Sequence, residues 1–401
     1  MPRSCVPPLV PLAPPLGAVL RQYAAGSALT CEPVDQGLLN RGYRLCTTRG
    51  RYFLKHHFDP ETADPAAIAR QHRATQRLAD LGVPVAPPLT GRDGRTVAVV
   101  GGHAYALHPW IDGRHRHGGQ LTTAQCGRLG ALLGVVHASL EHVMPRQARA
   151  RVLLPSQAAR TRAAVGAEVP TVSAASRAPI ATGASEASTA SSAASLASGA
   201  SGPGQPADAL HPVGSPDPAD TFALIDRLLA RVRRHHPADA FDELARHRLQ
   251  ERRTLLERHA DRRPPCGSSV GWVHGDFHPF NLLYRGDAPA AIVDWDRLGV
   301  KPRAEEAVRA AAIFFVLPVG SLDLPKVRAY ARAYRRAAGA TPSQLAAAVH
   351  RVWWERLNDF WMLRWHYERG DTRADPQFPA ASALAVWWTR QYDAVCDAFT
   401  D

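Results

Sequence analysis

The sequence of 401 residues predicts an α+β chain with a small β-rich N-terminal lobe and a larger helical C-terminal lobe. Up to residue 107, short runs alternate between apolar and polar residues, which is the period of a half-buried strand. Beyond residue 120, apolar residues recur at helical spacing over long segments. A polar stretch at 273–284, followed by an acidic one at 292–296, interrupts the helical part. These observations predict two lobes, with the chemistry in the larger one.

Composition limits the possible partners and the compartment. The net charge is +12, and the basic residues are nearly all arginines, since the lysines are Lys55, Lys301 and Lys326. The arginines are spread along helices without a zinc-finger or RNA-binding signature, so we expect no nucleic-acid partner. The six cysteines form no Cys-x-x-Cys pair, and no run of 18 apolar residues occurs. We therefore expect a cytoplasmic protein with no membrane segment.

In the N-terminal lobe, we expect a Pro-rich disordered lead at 1–19 and a folded region at 20–107. The predicted strands, each bounded by turn residues, are 31–36, 43–46, 51–55, 96–100 and 103–107. Gly37, Asn40 and Gly42 lie between the first two strands, and Lys55 ends the third. A helix over 64–82 follows, since Asp64 is a suitable N-cap and Gly82 a suitable terminator. Residues 108–113 then connect this lobe to the next.

The C-terminal lobe, 114–401, is predicted to be helical over 123–140, 221–235 and 239–259 and again towards its end. Between these helices, residues 163–220 are rich in Ala, Ser, Gly and Pro and poor in aromatic residues. Such a segment cannot bury enough apolar surface to offset the entropy lost on ordering. We therefore expect a disordered insertion there, within the lobe and not at its boundary.

The stretch with the clearest chemical meaning runs from Val273 to Tyr284 and contains His274, Asp276 and Asn281. Asp294 follows at the end of a short apolar strand. Phosphoryl transfer needs a carboxylate that accepts the proton of the attacking hydroxyl, and an amide and a second carboxylate that hold Mg²⁺. Asp276 fits the first role, and Asn281 and Asp294 fit the others. We expect His274 to hold the loop.

The H-G-D-x-H-x-x-N run, followed by a hairpin and Asp294, resembles the aminoglycoside phosphotransferase and choline kinase family of small-molecule kinases. His-Gly-Asp stands where protein kinases have His-Arg-Asp, and Asp-Trp-Asp where they have Asp-Phe-Gly. The resemblance covers about residues 30–140 and 221–370. It implies a bilobal protein-kinase-like fold, the cofactors ATP and Mg²⁺, and a small-molecule hydroxyl acceptor. From this resemblance the first expectation for the acceptor is an aminoglycoside-like antibiotic, and the alternative is a metabolite such as choline, homoserine or a fructosamine.

The resemblance also implies which residues bind the nucleotide. The hairpin residues named above would cover the phosphates, and Lys55 would contact them. In the family, a helix glutamate pairs with this lysine, but the matching residue here is the neutral Gln71. The connection between the lobes resembles the hinge where adenine binds backbone groups, which implicates His108. Trp110 is expected either to stack on the base or to pack beneath the hinge.

For the acceptor, the resemblance implicates the C-terminal helices, where Glu355, Asp359 and Glu368 are the acids best placed to meet a cationic molecule. Asp296 is a further acid close to the metal ligands, and we expect it near the substrate. Past Asp296, the family usually has a Gly-Asp-Pro turn followed by an aspartate that braces the helix, and this chain lacks that pattern. The chain has Glu305 and Glu306 in that region, and either is a candidate for this brace.

Two other functions compete with a kinase. The substitution at Gln71 is compatible with a protein that binds nucleotide without transferring phosphate. A nucleic-acid binder is the other alternative, and it rests on net charge alone. The presence of Asp276, Asn281 and Asp294 together favours an active small-molecule O-phosphotransferase.

Overall fold

The computed structural model describes residues 14–34, 40–58, 63–144, 214–265 and 270–401. The predicted α+β architecture is confirmed, with strands concentrated in the N-terminal lobe and helices in the C-terminal lobe. Gly37 lies outside the described residues, as do most of the predicted lead and most of the predicted insertion.

The N-terminal lobe is built on an antiparallel sheet of five strands in the order β1-β2-β3-β5-β4. The strands are β1 (Ala28–Val34), β2 (Arg41–Thr47), β3 (Gly50–His57), β4 (Ala98–Val100) and β5 (His103–Pro109). Each predicted strand is therefore present, with small shifts at its ends. Their inward-facing residues form a core with Leu45, Leu54 and Tyr105 fully buried.

A helix at the start of the described chain corrects the predicted lead. Helix α1 (Leu16–Tyr23) begins within the segment 1–19 that we predicted to be disordered. Its Val19, Leu20 and Tyr23 are buried and join the core of the sheet. These residues share one helical face, and burial of that face stabilises a helix that is too short to persist alone.

Helix α2 (Pro65–Asp80) has the predicted ends. The Asp64 carboxylate accepts hydrogen bonds from the N–H groups of Ala66 at 3.1 Å and Ala67 at 2.9 Å, as expected of an N-cap. Pro65 occupies the first turn, where it removes no helical hydrogen bond. After the helix, Gly82 adopts a φ of +78°, which favours glycine.

The C-terminal lobe consists mainly of helices. They are α3 (Thr123–Val143), α4 (Pro218–Arg234), α5 (Ala240–Arg258), α6 (Arg303–Phe314), α7 (Leu324–Ala338), α8 (Pro342–Asn358), α9 (Trp361–Arg364), α10 (Phe378–Arg390) and α11 (Tyr392–Thr400). Trp353, Trp354 and Trp388 are fully buried in the core of this lobe. Helices α3 and α7 approach closely, because a Cβ at Gly130 would lie only 2.1 Å from the backbone oxygen of Tyr330.

The predicted insertion is shorter at its C-terminal end than the composition indicated. Helix α4 begins at Pro218, and the Asp217 side chain caps it through the Ala219 N–H at 2.9 Å. Ser215 is buried, and its hydroxyl donates to the Pro264 carbonyl at 2.5 Å. Residues 214–220 therefore belong to the fold, because this cap and this buried hydrogen bond compensate for their polar composition.

Two short antiparallel strand pairs carry the polar stretch. Strand β6 (Val270–Val273) pairs with β9 (Gly299–Pro302), and β7 (Leu282–Arg285) pairs with β8 (Ala288–Ile292). The loop between β6 and β7 holds Asp276 and Asn281, and the turn after β8 holds Asp294. Antiparallel pairing thus brings side chains from two separate stretches together. None of the helices described is both long and apolar enough to cross a membrane.

Candidate active site

His274 holds the loop of residues 274–281, named here the candidate catalytic loop, against the turn that follows β8. Its ring is fully buried, its Nδ1 accepts the N–H of Asp276 at 3.2 Å, and its Nε2 lies 3.0 Å from the Val293 carbonyl. Since Nδ1 accepts, Nε2 carries the hydrogen and donates it. Burial lowers the pKa of His274, which favours this neutral form. These contacts hold the loop in place, and the role of His274 in the reaction stays a prediction.

Gly275 and Glu306 fix the backbone of the same loop. Gly275 has a φ of +87°, and a Cβ there would lie 2.1 Å from the backbone oxygen of Arg297, so only glycine fits. The buried Glu306 carboxylate accepts the N–H of His274 at 3.2 Å and also the N–H of Gly275. It also lies 2.7 Å from His137 Nε2. Glu306 is therefore the brace of the loop.

Glu305 has a different partner. Its carboxylate is bonded to Arg351, and so it faces away from the candidate catalytic loop. Successive residues of a helix point in directions about 100° apart, which is why only one of two adjacent glutamates can reach the loop.

Asp276 lies in a setting that keeps its carboxylate ionised. Its Oδ2 lies 3.6 Å from His278 Nε2 and 3.7 Å from Arg297 Nε. Burial alone would raise the pKa of Asp276, but the nearby His278 and Arg297 outweigh it and bring the pKa well below its usual range. The backbone carbonyl of Asp276 accepts a hydrogen bond from Asn281 Nδ2 at 2.9 Å. Asp276 and Asn281 thus share one rigid loop.

Asn281 and Asp294 offer the hard oxygen ligands that Mg²⁺ prefers. The bonds of Asn281 to Asp276 and to His278 use its amide nitrogen, which leaves its oxygen to a cation. Asp294 has a φ of +59°, a conformation that L-residues rarely adopt and that is stabilised here by the surrounding turn. Its side chain is 46% exposed and can therefore receive a ligand. This donor set fits a Mg²⁺ ion.

Lys55 reaches this group from the other lobe. Its Nζ lies 2.7 Å from Asp294 Oδ1 and 2.7 Å from Asp296 Oδ2. Burial would lower the pKa of Lys55, but the two carboxylates outweigh it and raise the pKa above its usual range. Gln71, the residue that matches the family's helix glutamate, is not among the partners of Lys55 described above. Instead Gln71 Nε2 donates to the Asp296 backbone carbonyl at 2.8 Å.

Two further residues predicted to cover the phosphates, Asn40 and Gly42, lie close to Asp296 and Lys55 respectively. Asn40 Nδ2 donates to Asp296 Oδ2 at 2.6 Å. Gly42 pairs with Lys55 across β2 and β3, and a Cβ at this glycine would come within 2.6 Å of the Phe53 ring. A side chain at position 42 would therefore have to displace the Phe53 ring, which belongs to the strand that carries the lysine.

At the connection between the lobes, the two predicted nucleotide contacts have protein partners. His108 Nδ1 lies 2.9 Å from the Ala86 carbonyl, and burial lowers the pKa of His108 to about 4, so the ring is neutral. Trp110 donates its backbone N–H to Arg51 at 3.1 Å and its indole N–H to Asp112 at 3.2 Å. These contacts are those of a tryptophan that packs at the connection. A role of either residue in binding adenine stays a prediction.

The acids predicted to face a cationic acceptor are each close to an arginine. Glu355 forms a two-pronged ion pair with Arg309 at 2.8 and 2.5 Å. Asp359 follows the end of α8, accepts the Trp361 N–H at 3.1 Å and lies 3.9 Å from Arg356. Burial raises the pKa of Asp359 to about 6. The third acid, Glu368, is 3.1 Å from Arg364.

Sequence comparison identifies the family. A family model described as "Phosphotransferase enzyme family" matches residues 30–340. The chain belongs to this family. It is also similar to the homoserine kinase of Acidiphilium cryptum (strain JF-5), with 28% identity over 135 residues, which cover 34% of this chain and 41% of that kinase. For the homoserine kinase of Neisseria meningitidis serogroup B (strain ATCC BAA-335 / MC58), identity is 31% over 119 residues, 29% of this chain and 37% of the relative. The matches thus span about two fifths of these kinases.

Solved structures of the same fold confirm the kinase-like architecture. The microcompartment-associated aminopropanol kinase superposes with a TM-score of 0.52 at 14% identity, over 96% of this chain and 97% of that chain. The aminoglycoside phosphotransferase from Alicyclobacillus acidocaldarius subsp. acidocaldarius DSM 446 gives a TM-score of 0.51 at 14% identity, over 97% and 96% of the two chains. The predicted family and fold are therefore both correct.

The structure of this phosphotransferase-family protein adds functional candidates that sequence reasoning missed. Arg297 is next to Asp276, and Arg309 neutralises Glu355. Neither arginine could be singled out from the sequence, because arginine supplies nearly all the basic residues of the chain. The only local signal was that Arg297 follows the acidic stretch directly. No spacing rule indicated the pairing of Arg309 with a residue 46 positions away.

Proposed function

We propose that the protein transfers the γ-phosphoryl group of ATP to a hydroxyl group of a small molecule. The observation that carries this proposal is the ionised Asp276 carboxylate, held on the same loop as Asn281 and close to the turn that bears Asp294. Lys55, from the other lobe, contacts that turn directly. Membership of the phosphotransferase family supports the same reaction.

In this proposal Asp276 orients the acceptor hydroxyl and takes its proton. The acceptor oxygen forms a bond to the γ-phosphorus as the bond to the β-phosphate oxygen breaks, and ADP leaves. The low pKa of Asp276 makes it a weak base. A weak base suits a loose transition state, in which the hydroxyl proton becomes acidic only late. His278 and Arg297 keep this carboxylate in place.

Asn281 and Asp294 would hold Mg²⁺, which neutralises charge on the phosphate oxygens when it is bound. Lys55 would contact the phosphates, as it is the one lysine of the N-terminal lobe. Asn40, Gly42 and Gln71 surround the lysine and its carboxylate partners, which supports their predicted place at the nucleotide site. For Gly37, His108 and Trp110 the prediction rests on the resemblance alone.

For the acceptor, we infer a small hydroxylated metabolite with little net charge. The charge balance supports it, because Glu355, Asp359 and Glu368 each have an arginine nearby and offer little attraction to a polycation. Partial similarity to homoserine kinases supports it as well. An aminoglycoside-like antibiotic, our first expectation from the resemblance, becomes the second candidate, and choline and fructosamines belong to the same screen.

The test is a screen of the purified protein for acceptor-dependent ADP release, with phosphorylated product identified by mass spectrometry. The panel contains hydroxylated amino acids, amino alcohols, fructosamines and aminoglycosides, each with and without Mg²⁺. We expect turnover with a small amino alcohol or hydroxy amino acid, and loss of that turnover in Asp276→Asn. ATP binding with no product from any acceptor would instead favour the alternative of a nucleotide-binding protein, which the neutral Gln71 suggests.

A further inference from the structure

Lys55 is buried in the N-terminal lobe, and the carboxylates that balance its charge belong to the C-terminal lobe. The residue is 8% exposed, and a buried ammonium group needs a charged partner to offset its lost hydration. Helix α2, which presents Gln71 to this region, contains no acid between Pro65 and Ala79. Both carboxylates that contact Lys55 Nζ lie instead in the acidic stretch of the C-terminal lobe, at Asp294 and Asp296.

The two carboxylates differ in exposure and in their other partners. The Asp294 side chain is 46% exposed, whereas that of Asp296 is 16% exposed. Asp296 is also bonded to the N-terminal lobe at two points, through Asn40 Nδ2 at 2.6 Å and through Gln71 Nε2 at 2.8 Å to its backbone carbonyl. Asp294 is thus the carboxylate open to an incoming ligand, and Asp296 is the one held between the lobes.

We propose that Asp296 is a positioning residue that supplies the permanent counter-charge of Lys55, and that Gln71 acts by holding the backbone of Asp296. The acid that pairs with the lysine then comes from the turn after β8, which holds Asp294 and Asp296, and not from helix α2. This arrangement leaves Asp294 for a cation while Lys55 stays paired. The inference deepens the proposed function and rests on it only for the use of Lys55 in ATP binding.

A charge transposition tests this assignment. Asp296→Asn keeps the shape of the side chain and an oxygen that can accept from Asn40, but removes the charge. Gln71→Glu in the same protein returns a carboxylate to the lysine from helix α2. The control is Asp217→Asn in the C-terminal lobe, which removes an acid from an exposed ion pair with Arg263 at 2.7 Å, keeps an oxygen that can cap α4 and does not pair with Lys55.

The first measurement is ATP affinity by titration calorimetry, in EDTA and in Mg²⁺. We expect Asp296→Asn to weaken ATP binding about tenfold under both conditions, which corresponds to about 1.4 kcal/mol. Gln71→Glu should restore most of this loss in the double variant. Where turnover can be measured, KM for ATP should rise more than kcat falls. Asp217→Asn should bind ATP as the wild type does.

The second measurement needs neither nucleotide nor activity. Amine acylation of the metal-free protein, followed by peptide mass spectrometry, reports Lys55 separately, with Lys301 and Lys326 as internal references. We expect faster acylation of Lys55 alone in Asp296→Asn, and a return towards the wild-type rate when Gln71→Glu is added. Gln71→Ala provides a milder variant that removes the anchor of Asp296 and should also raise the rate.

The outcomes separate the possibilities. If Asp296→Asn loses ATP affinity only in Mg²⁺ and leaves Lys55 acylation unchanged, Asp296 is a metal ligand and the proposal is overturned. If Gln71→Glu recovers neither ATP affinity nor the acylation rate, the pairing is not electrostatic and the proposal is also overturned. Failure to find any phosphate acceptor would contradict the proposed function but would not alter the acylation result.

Discussion

Glu306→Gln is the substitution that most directly tests how the candidate catalytic loop is held. The buried carboxylate accepts backbone N–H groups from His274 and Gly275 and lies within 2.7 Å of His137 Nε2. Glutamine has the same shape but only one acceptor oxygen. Its amide nitrogen must therefore face a donor in either orientation, and at least one buried N–H group loses its partner.

The size of the effect follows from these contacts. A hydrogen bond to a charged group contributes about 1.5–3 kcal/mol, and an unpaired buried N–H costs about 1–3 kcal/mol. We expect Glu306→Gln to lower the free energy of unfolding by about 2–3 kcal/mol. Asp276 is two residues from His274, so a small shift of the loop misplaces the carboxylate. A misplacement of about 1 Å can reduce turnover about a hundredfold, and we expect a loss in kcat of about ten- to a hundredfold.

The matched control is Glu305→Gln, on the same turn of α6. Glu305 is also buried and ion-paired, with Arg351, but it does not contact the candidate catalytic loop. We expect it to lower stability without changing kcat by more than about threefold, because only Glu306 acts on the loop. Urea denaturation and acceptor-dependent ADP release measure the two effects. Equal losses of kcat in the two variants would refute the assignment of Glu306 as the brace.

The pH dependence of stability gives a second check. The bond to His137 and the loop N–H groups overcome the opposing effect of burial and lower the pKa of Glu306 below its ordinary value. Stability from an acid with a lowered pKa is present above the unfolded-state pKa and is lost as the pH falls through the folded-state value. The stability gap between wild type and Glu306→Gln should therefore be full at neutral pH and shrink below about pH 4. A gap that stays constant would mean that ionisation of Glu306 does not contribute.

The other predictions concern the chemistry and the predicted insertion. Asp276→Asn should reduce kcat about a hundredfold or more, with ATP affinity nearly unchanged in calorimetry. Asp294→Ala should remove the Mg²⁺ dependence of ATP binding, as titration with and without metal will show. Because the pKa of Asp276 is lowered, kcat/KM should stay flat down to about pH 5, whereas a fall near pH 6–7 would indicate another base. Deletion of residues 170–210 should leave the melting temperature within a few degrees, given the slow growth of loop-closure entropy with length; a large decrease would contradict the composition argument.

Much of the fold could be predicted because its signals are local. The alternation of apolar residues marked each strand of the N-terminal sheet, and Asp64 marked the start of α2. A cap or a period depends on residues within a few positions of each other, so the sequence contains all the information. Helix α1 was missed because the prolines that precede it and its short length masked an apolar face that only the sheet completes.

The candidate catalytic residues could be predicted for the same reason, because Asp276 and Asn281 lie five positions apart on one loop and Asp294 follows after one hairpin. What the sequence could not supply was the partner of each buried charge. Lys55 pairs with Asp296 across the two lobes, and Glu355 pairs with Arg309 across two helices. Of two adjacent glutamates, Glu306 is the one that contacts the loop. Ion pairs and buried hydrogen bonds join whichever groups packing brings within about 3–4 Å, irrespective of their separation in the chain. The sequence by itself determined which residues are candidates to act on phosphate, and only the tertiary structure decided how they are held.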